Sequence, residues 1–122
     1  MIIKTERQQF DCMVCILLNY FPLLQKTLLN NIANCNKISS DYLNTRVMIS
    51  IVEELEYFFQ KKQFTKAKKF KLEFTEAEGI YLFKIIMDLP INRENIYTDR
   101  VRNQWLEQLN QQIIYTLPYE KE

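Results

Sequence analysis

The chain of 122 residues contains no histidine and a single glycine. Without histidine it lacks the commonest general base and the commonest metal ligand, which excludes Ser–His–Asp triads and most metal sites. One glycine cannot build a phosphate-binding loop, and together with only three prolines it supplies too few turn residues for an all-β fold. We therefore expect no catalytic residues, no metal site and no cofactor, and we predict that the protein is not an enzyme.

Cysteine is also scarce. The three cysteines are Cys12, Cys15 and Cys35, and an odd number in a chain rich in apolar residues favours free thiols in a reducing compartment. The spacing of Cys12 and Cys15 also occurs in zinc and redox sites, but zinc needs four ligands and a thioredoxin-like motif needs a βαβ context. We interpret the thiols of Cys12 and Cys15 as buried structural groups.

Long hydrophobic runs are missing as well. The longest one, residues 12–24, is interrupted by Asn19 and Pro22, and it is shorter than the roughly 20 residues that cross a bilayer. Glu6 and Asp11 precede it, which disfavours a signal peptide. The net charge of +1 creates no global field toward nucleic acid or a membrane. The sequence predicts a cytoplasmic protein without membrane contact.

Helical periodicity is what the sequence has in abundance. Hydrophobic residues form 48% of the chain, and the length suits a single helical domain, residues 1–122. Apolar positions recur at intervals of three and four in four segments. We predict an all-α fold, an irregular bundle of four main helices with an extended lysine-rich connector between the second and the third.

The first two helices have recognisable starts. A Thr5–Gln8 capping pattern places the first start near Glu6, and Pro22 either kinks this helix or begins a new one. Ser39, Ser40 or Asp41 caps the second helix. The inward stripe predicted for this second helix comprises Leu43, Val47, Ile51, Leu55 and Phe58 or Phe59.

The third helix has the clearest start, a capping box formed by Thr75 and Glu78, and Pro90 ends it. Its predicted stripe comprises Ile80, Phe83, Met87 and Ile86, and its other apolar residues widen this stripe nearly all the way round. A close helix–helix contact would explain Gly79. The last helix is capped by Asn95 or Thr98. Its predicted inward positions are Val101, Trp105, Leu109 and Ile113.

Six lysines fall within residues 61–71: Lys61, Lys62, Lys66, Lys68, Lys69 and Lys71. Interleaved with Phe64 and Phe70, they could contact phosphates while the rings stack on bases. Six flanking glutamates favour the plainer interpretation, a solvated connector with both phenylalanines in the core.

Residues 68–74 also alternate between charged and apolar side chains, as in a strand. The second strand could come from Met1–Ile3 or from Ile113–Leu117. The pattern alone leaves open whether a sheet forms.

Two further groups are candidate contact residues. Arg100 and Arg102 lie near a helix N-terminus, where positive charge is unfavourable, so they are either anion contacts or partners of nearby carboxylates. Trp105, with Tyr97 and Tyr115, is either an interface anchor or, for the tryptophan, part of the core.

These observations predict a small non-catalytic protein–protein interaction module, an adaptor, assembly subunit or inhibitor that acts by occupying a surface. A protein partner or a second copy of the chain would cover apolar surface of the first and third helices. The alternative is a sequence-tolerant nucleic-acid-binding protein that uses the segment Lys61–Lys71, helped by Arg100 and Arg102.

Overall fold

The computed structural model describes residues 1–90 and 95–115, residue 115 by its backbone alone. The helices in this part of the chain are α1 (Arg7–Ala33), α2 (Ser40–Lys62), α3 (Glu76–Asp88) and α4 (Ile96–Tyr115). The strands β1 (Ile2–Glu6) and β2 (Lys69–Glu73) pair in antiparallel fashion. The prediction of four main helices is confirmed. The mostly helical class is confirmed as well, but the described residues add a two-stranded sheet that the all-α prediction left out.

The sheet answers the question that the alternating pattern left open. Its second strand comes from the N-terminal segment, while Ile113 lies in α4. Ile3 and Thr5 are buried together with Phe70 and Leu72, whereas the residues between them point outward. A period of two therefore places one face of each strand in the core. The Phe70 ring also stacks on that of Phe10 with 4.1 Å between centroids.

Contacts within the chain group into two compact units. The first, here called the sheet unit, comprises Met1–Met13 and Lys66–Glu122, and the second, the hairpin unit, comprises Val14–Thr65. Helix α1 supplies residues to both. The prediction of a single domain is not tested by this grouping and stays a prediction.

In the sheet unit the core lies between the inner face of the sheet and the helices α3 and α4. Val101, Trp105 and Leu109 of α4 are buried, as the spacing of four predicts, and Ile113 is half-buried. The Thr5 hydroxyl is a buried polar group that accepts a hydrogen bond from Trp105 Nε1 at 3.4 Å. A buried indole N–H needs such an acceptor.

In the hairpin unit, α1 and α2 run antiparallel on either side of the loop at residues 34–39. The rings of Phe21 and Phe59 lie 6.3 Å apart, and Gln25 Nε2 donates to Glu56 Oε1 at 3.4 Å. The buried residues of this unit are Val14, Leu17, Phe21, Leu28, Val52, Leu55 and Phe59. All except Leu28 lie in the half of the hairpin remote from its loop.

Helix α1 continues through Pro22 for a total of 27 residues. Proline has no N–H, so the Leu18 carbonyl lacks its usual donor in the next turn. This helix is longer than the apolar run within it. In the described part of the chain it is the one helix long and apolar enough to cross a membrane, judged by length and composition only.

The predicted inward stripe of α2 is only half correct. Leu55 and Phe59 are buried, but Leu43 and Val47 are exposed. Each step of four residues turns a helix by about 400°, so a stripe built on fours drifts about 40° per step and leaves the buried face within a few turns.

The predicted stripe of α3 is only partly correct, for a different reason, since Ile86 alone among its members is buried. Ile80 and Met87 are exposed, and the helix buries Gly79, Leu82, Ile85 and Ile86. Apolar residues lie on most faces of α3, so its periodicity does not indicate which face packs against the core.

Gly79 is explained by the N-terminus and not by a helix–helix contact. A Cβ added at Gly79 would lie 2.9 Å from Met1 Cβ and would clash with Met1 Sδ. The Met1 amino group donates to the Phe74 carbonyl at 2.7 Å, and the Phe74 N–H donates to the Met1 carbonyl at 2.7 Å. This pairing extends the antiparallel ladder and holds Met1 on top of Gly79.

The helix ends largely follow local signals. The capping box of Thr75 and Glu78 is present in both directions, at 2.8 and 3.2 Å. Ser39 caps α2, and Asn95 Oδ1 accepts from the Thr98 N–H. At α1 the pattern is shifted by one residue, since Gln9 Oε1 accepts from the Glu6 N–H at 3.3 Å while Thr5 belongs to β1.

Candidate interaction surfaces

The six lysines of residues 61–71 do not form one patch in one unit. Lys61 and Lys62 end α2 in the hairpin unit, and their ammonium groups lie over the rings of Tyr57 and Phe58 at 4.9 and 5.7 Å. Lys66, Lys68, Lys69 and Lys71 belong to the sheet unit. The connector between α2 and β2 is therefore short. The first residues of the lysine-rich segment belong to α2 and the last ones to β2, which leaves residues 63–68 between them.

The two phenylalanines of this segment have opposite environments. Phe70 is buried beneath the sheet, as predicted, and the Arg7 guanidinium lies 5.4 Å from the centre of its ring. Phe64 is 80% exposed, so the prediction that it packs into the core is wrong. With Phe70 buried, the lysines of β2 have no adjacent ring from their own strand on which a base could stack.

The outward face of the sheet concentrates charge. The register places Lys4 opposite Lys71 and Glu6 opposite Lys69. Lys71 Nζ also lies 3.8 Å from Glu73 Oε1. Like charges directly opposite one another on a sheet are destabilising, so Lys4 and Lys71 repel each other across the two strands.

Lys4 was not among the basic contacts predicted from sequence, which are the six lysines of residues 61–71 with Arg100 and Arg102. The signal that could have found it is the second alternating segment at residues 2–6, whose pairing with β2 places Lys4 beside the lysines. Together these side chains border an open groove of about 670 Å³, whose charged lining residues are Lys4, Glu6, Lys69, Lys71 and Glu107.

Two glutamines of α4 close the outer edge of β1. Gln112 Oε1 accepts from the Ile2 N–H at 2.7 Å, and Gln112 Nε2 donates to the Ile2 carbonyl at 2.6 Å. Gln108 makes the same pair of bonds with the N–H and the carbonyl of Lys4, at 2.8 and 3.0 Å. Each carboxamide therefore replaces one peptide group of a neighbouring strand.

The spacing of these glutamines matches the strand. Four residues of α-helix rise about 6.0 Å, and two residues of a β-strand rise about 6.8 Å. Glutamines four apart can therefore address alternate residues of β1. Neither glutamine was predicted as a contact residue from sequence. The signal for this role is the regular recurrence of glutamine at positions 104, 108 and 112.

The Arg102 side chain contacts the C-terminus of α3. Its Nε donates to the Ile86 carbonyl at 3.1 Å, its Nη2 donates to the Met87 carbonyl at 3.0 Å, and Nη1 lies 3.9 Å from Asp99 Oδ1. The side chain is 14% exposed. Because α3 has no basic residue in its own last turn, Arg102 supplies the cation and the donors that its C-terminus lacks. Arg100 is exposed and stays a candidate.

The predicted interface anchors separate in the same way. Trp105 is 1% exposed and belongs to the core, so it presents no surface to a partner. Tyr97 is exposed near the start of α4. The side chain of Tyr115 lies outside the described residues.

The cysteines do not form a set. Cys12 Sγ lies 3.6 Å from Thr98 Oγ1, and Cys35 Sγ donates to the Asn31 carbonyl at 3.2 Å. Cys15 is exposed and Cys12 is half-buried, so the prediction that these two thiols are buried is wrong for Cys15 and only partly correct for Cys12. Over residues 1–90 and 95–115, no three residues of the metal-ligating types lie close enough to hold an ion.

The loop half of the hairpin unit carries an uncovered apolar surface. Between residues 22 and 51, Leu28 is the one buried residue. Leu43 and Val47 lie one helical turn apart on α2 and are 53% and 57% exposed. Other exposed aliphatic residues in this half are Leu23, Leu29 and Ile38. We call Leu43 and Val47 together the α2 apolar surface.

Scans of the chain against models of protein families, against characterised proteins and against solved structures find no match.

Proposed function

We propose that the chain is a small non-catalytic protein–protein interaction module. The observation that carries this proposal is the α2 apolar surface, Leu43 and Val47, in the half of the hairpin that buries little of itself. Single exposed aliphatic residues are ordinary, but aliphatic residues one turn apart on a helix form a stripe that a partner helix can cover.

The composition around this stripe favours a protein partner. Asn44 and Ser50 are uncharged neighbours on the same helix, and Arg46 is the one basic residue between Leu43 and Ile51. Such a surface offers apolar area with little charge, which suits an apolar helix face and not a phosphate backbone. The partner is either another protein or a second copy of the chain.

The test compares the wild type with the double variant Leu43→Ser/Val47→Ser. Sedimentation of the purified protein first shows whether a second copy binds. Tagged protein then captures partners from the host lysate in the presence of nuclease. We expect the double variant to keep the wild-type unfolding free energy and to lose either self-association or the captured protein.

The matched control is Tyr57→Ser, a change at an exposed apolar position on the same helix outside the proposed surface. It should leave association intact. If the double variant retains every association of the wild type, or if nothing associates once nuclease is added, the proposal is wrong.

Nucleic-acid binding is a second candidate because Lys66, Lys68 and Lys69 are exposed and, within the described residues, no carboxylate lies within 4 Å of their ammonium groups. Binding would be nearly independent of sequence and would weaken steeply with salt. Replacing these lysines and Lys71 with glutamate should abolish it, and unchanged affinity would exclude this candidate.

A further inference from the structure

Strand β2 has two edges, and the ladder pattern shows where each one points. Met1 and Phe74 exchange two backbone hydrogen bonds, and the Arg7 N–H donates to the Lys68 carbonyl at 2.9 Å. In an antiparallel pair such bonded positions alternate with positions that face away. The N–H and carbonyl groups of Lys69, Lys71 and Glu73 therefore point away from β1.

This outer edge is open, in contrast to that of β1. The Lys71 and Glu73 side chains are 60% and 70% exposed. In the part of the chain that the structure describes, no backbone or side-chain group bonds to the outward N–H and carbonyl groups of β2. Glutamines 108 and 112 cover the corresponding groups of β1. An uncovered edge is a template on which an extended chain adds a strand.

The charges beside this edge select the added strand. Lys71 has Lys4 opposite it on β1, and no strand among the described residues pairs with the other side of Lys71. Lys69 lies on the same outer edge of β2, and Lys66 and Lys68 precede it in the chain. A carboxylate on a third strand, next to Lys71, would offset the repulsion between the two lysines.

From this geometry we propose that the free edge of β2 binds an extended acidic segment of a partner protein, which joins the sheet as a third strand. The backbone groups of Lys69, Lys71 and Glu73 supply the affinity, and the lysines supply the selectivity. An uncharged strand gains no electrostatic contact there, and a basic one is repelled. A second copy of β2 suits the edge less well, because that strand carries two lysines and only one glutamate and would add positive charge next to Lys69 and Lys71.

This site lies in the sheet unit, whereas the α2 apolar surface lies in the hairpin unit. The two are tested with different variants, so either can fail alone. If both hold, the chain is an adaptor with two binding surfaces of different chemistry.

The experiment uses the full chain, labelled with ¹⁵N, and three synthetic ten-residue peptides. The first alternates glutamate with threonine, the second replaces each glutamate with lysine, and the third is the acidic peptide with its backbone amides N-methylated. We expect the acidic peptide to shift the amide signals of Lys69, Lys71 and Glu73 and to slow their hydrogen exchange. The other two peptides should bind at least tenfold more weakly.

Two variants at position 71 distinguish the contribution of the backbone N–H to peptide binding from that of the side-chain charge. Lys71→Pro removes an N–H that points away from β1, so the β1–β2 ladder keeps its bonds while the free edge loses a donor. It should abolish binding of the acidic peptide. Lys71→Glu keeps the N–H and should weaken the acidic peptide at least tenfold while improving the lysine peptide. Lys84→Glu, an exposed lysine on α3, is the charge-matched control and should change neither.

Fluorescence of the buried Trp105, which bonds to Thr5 of β1, reports whether each variant keeps the sheet in place. If Lys71→Pro unfolds, the N-methylated peptide and Lys71→Glu still decide the question. Equal binding of the N-methylated peptide, or no binding of the acidic peptide at millimolar concentration, would overturn the proposal. So would concentration-dependent protection of the edge without peptide, which indicates a second copy, or displacement of the peptide by oligothymidylate.

Discussion

The side-chain amide of Gln112 pairs with the backbone of Ile2 as a neighbouring strand would, with one hydrogen bond in each direction at 2.6 and 2.7 Å. Gln112 Nε2 also donates to the Gln108 carbonyl at 2.9 Å, which ties this side chain to its own helix. A two-stranded sheet is marginal by itself, and this contact with α4 protects one of its edges. Nothing within residues 1–90 and 95–115 bonds to the outer edge of β2 in the same way.

Replacing Gln112 with leucine should lower the free energy of unfolding by about 1–3 kcal/mol, because the N–H and carbonyl of Ile2 then lose their partners in a partly buried site. Urea unfolding followed by circular dichroism measures the change. Gln111→Leu is the control, since Gln111 is exposed on the same helix. Equal effects of the two substitutions would show that Gln112 does not act through Ile2.

Replacing Arg102 with glutamine should cost about 1.5–3 kcal/mol, because a charged donor serves two carbonyls at the end of α3. Arg102→Lys should recover only part of this loss, since an ammonium group cannot place donors in a planar fork. Thermal unfolding of both variants checks the order. Arg100→Gln, at an exposed position in α4, should leave stability within about 0.5 kcal/mol of the wild type. A similar loss from both arginines would contradict the capping role.

Replacing Gly79 with alanine should destabilise the protein, although glycine to alanine within a helix ordinarily stabilises by about 1 kcal/mol. The new methyl group would meet Met1 Cβ at 2.9 Å, and Met1 cannot withdraw without breaking its backbone bonds to Phe74. Chemical denaturation measures the sign. Ala77→Gly, at an exposed position of the same helix, calibrates the helix propensity. A Gly79→Ala protein more stable than the wild type would show that Met1 packs elsewhere.

Replacing Thr75 with alanine should cost about 0.5–2 kcal/mol, because the Glu78 N–H loses its acceptor at the start of α3. Thr75→Ser keeps the hydroxyl and should restore most of the loss. Hydrogen exchange of the first-turn amides of α3, compared between the two variants, locates the effect. Exchange that rises equally throughout α4 would indicate a global change and not the loss of a cap.

Structure predicted from sequence is correct where one residue interacts with another three or four positions away. The box of Thr75 and Glu78, the caps Ser39 and Asn95 and the stop at Pro90 all follow from chemistry within one turn. The four helices follow from the same short-range periodicity, as does the buried stripe of α4. Each of these signals is complete within a single segment of chain.

The predictions are wrong or incomplete where two segments of the chain compete for a place in the core or pair with each other. α3 is apolar on several faces, and only packing against its neighbours selects Leu82 and Ile85 over Ile80 and Met87. Trp105 and Arg102 each had two interpretations from sequence. In the folded chain Trp105 is part of the core, and Arg102 binds carbonyl groups at the end of α3. The predicted set of contact residues lacked Lys4, because Lys4 lies beside Lys71 only once the two strands pair.

The sequence by itself determined that this chain forms helices, where most of them begin and end, and that residues 68–74 alternate as in a strand, with residues 1–3 as one of two candidate partner segments. Those properties depend on hydrogen bonds and side-chain spacing within a few residues. Only the tertiary structure decided that the two segments pair, that Gln108 and Gln112 cover one edge, and that the other edge stays open. These outcomes require contacts between residues about 70 to 110 positions apart, and the free energy that selects among such pairings comes from burial and edge satisfaction in the folded chain.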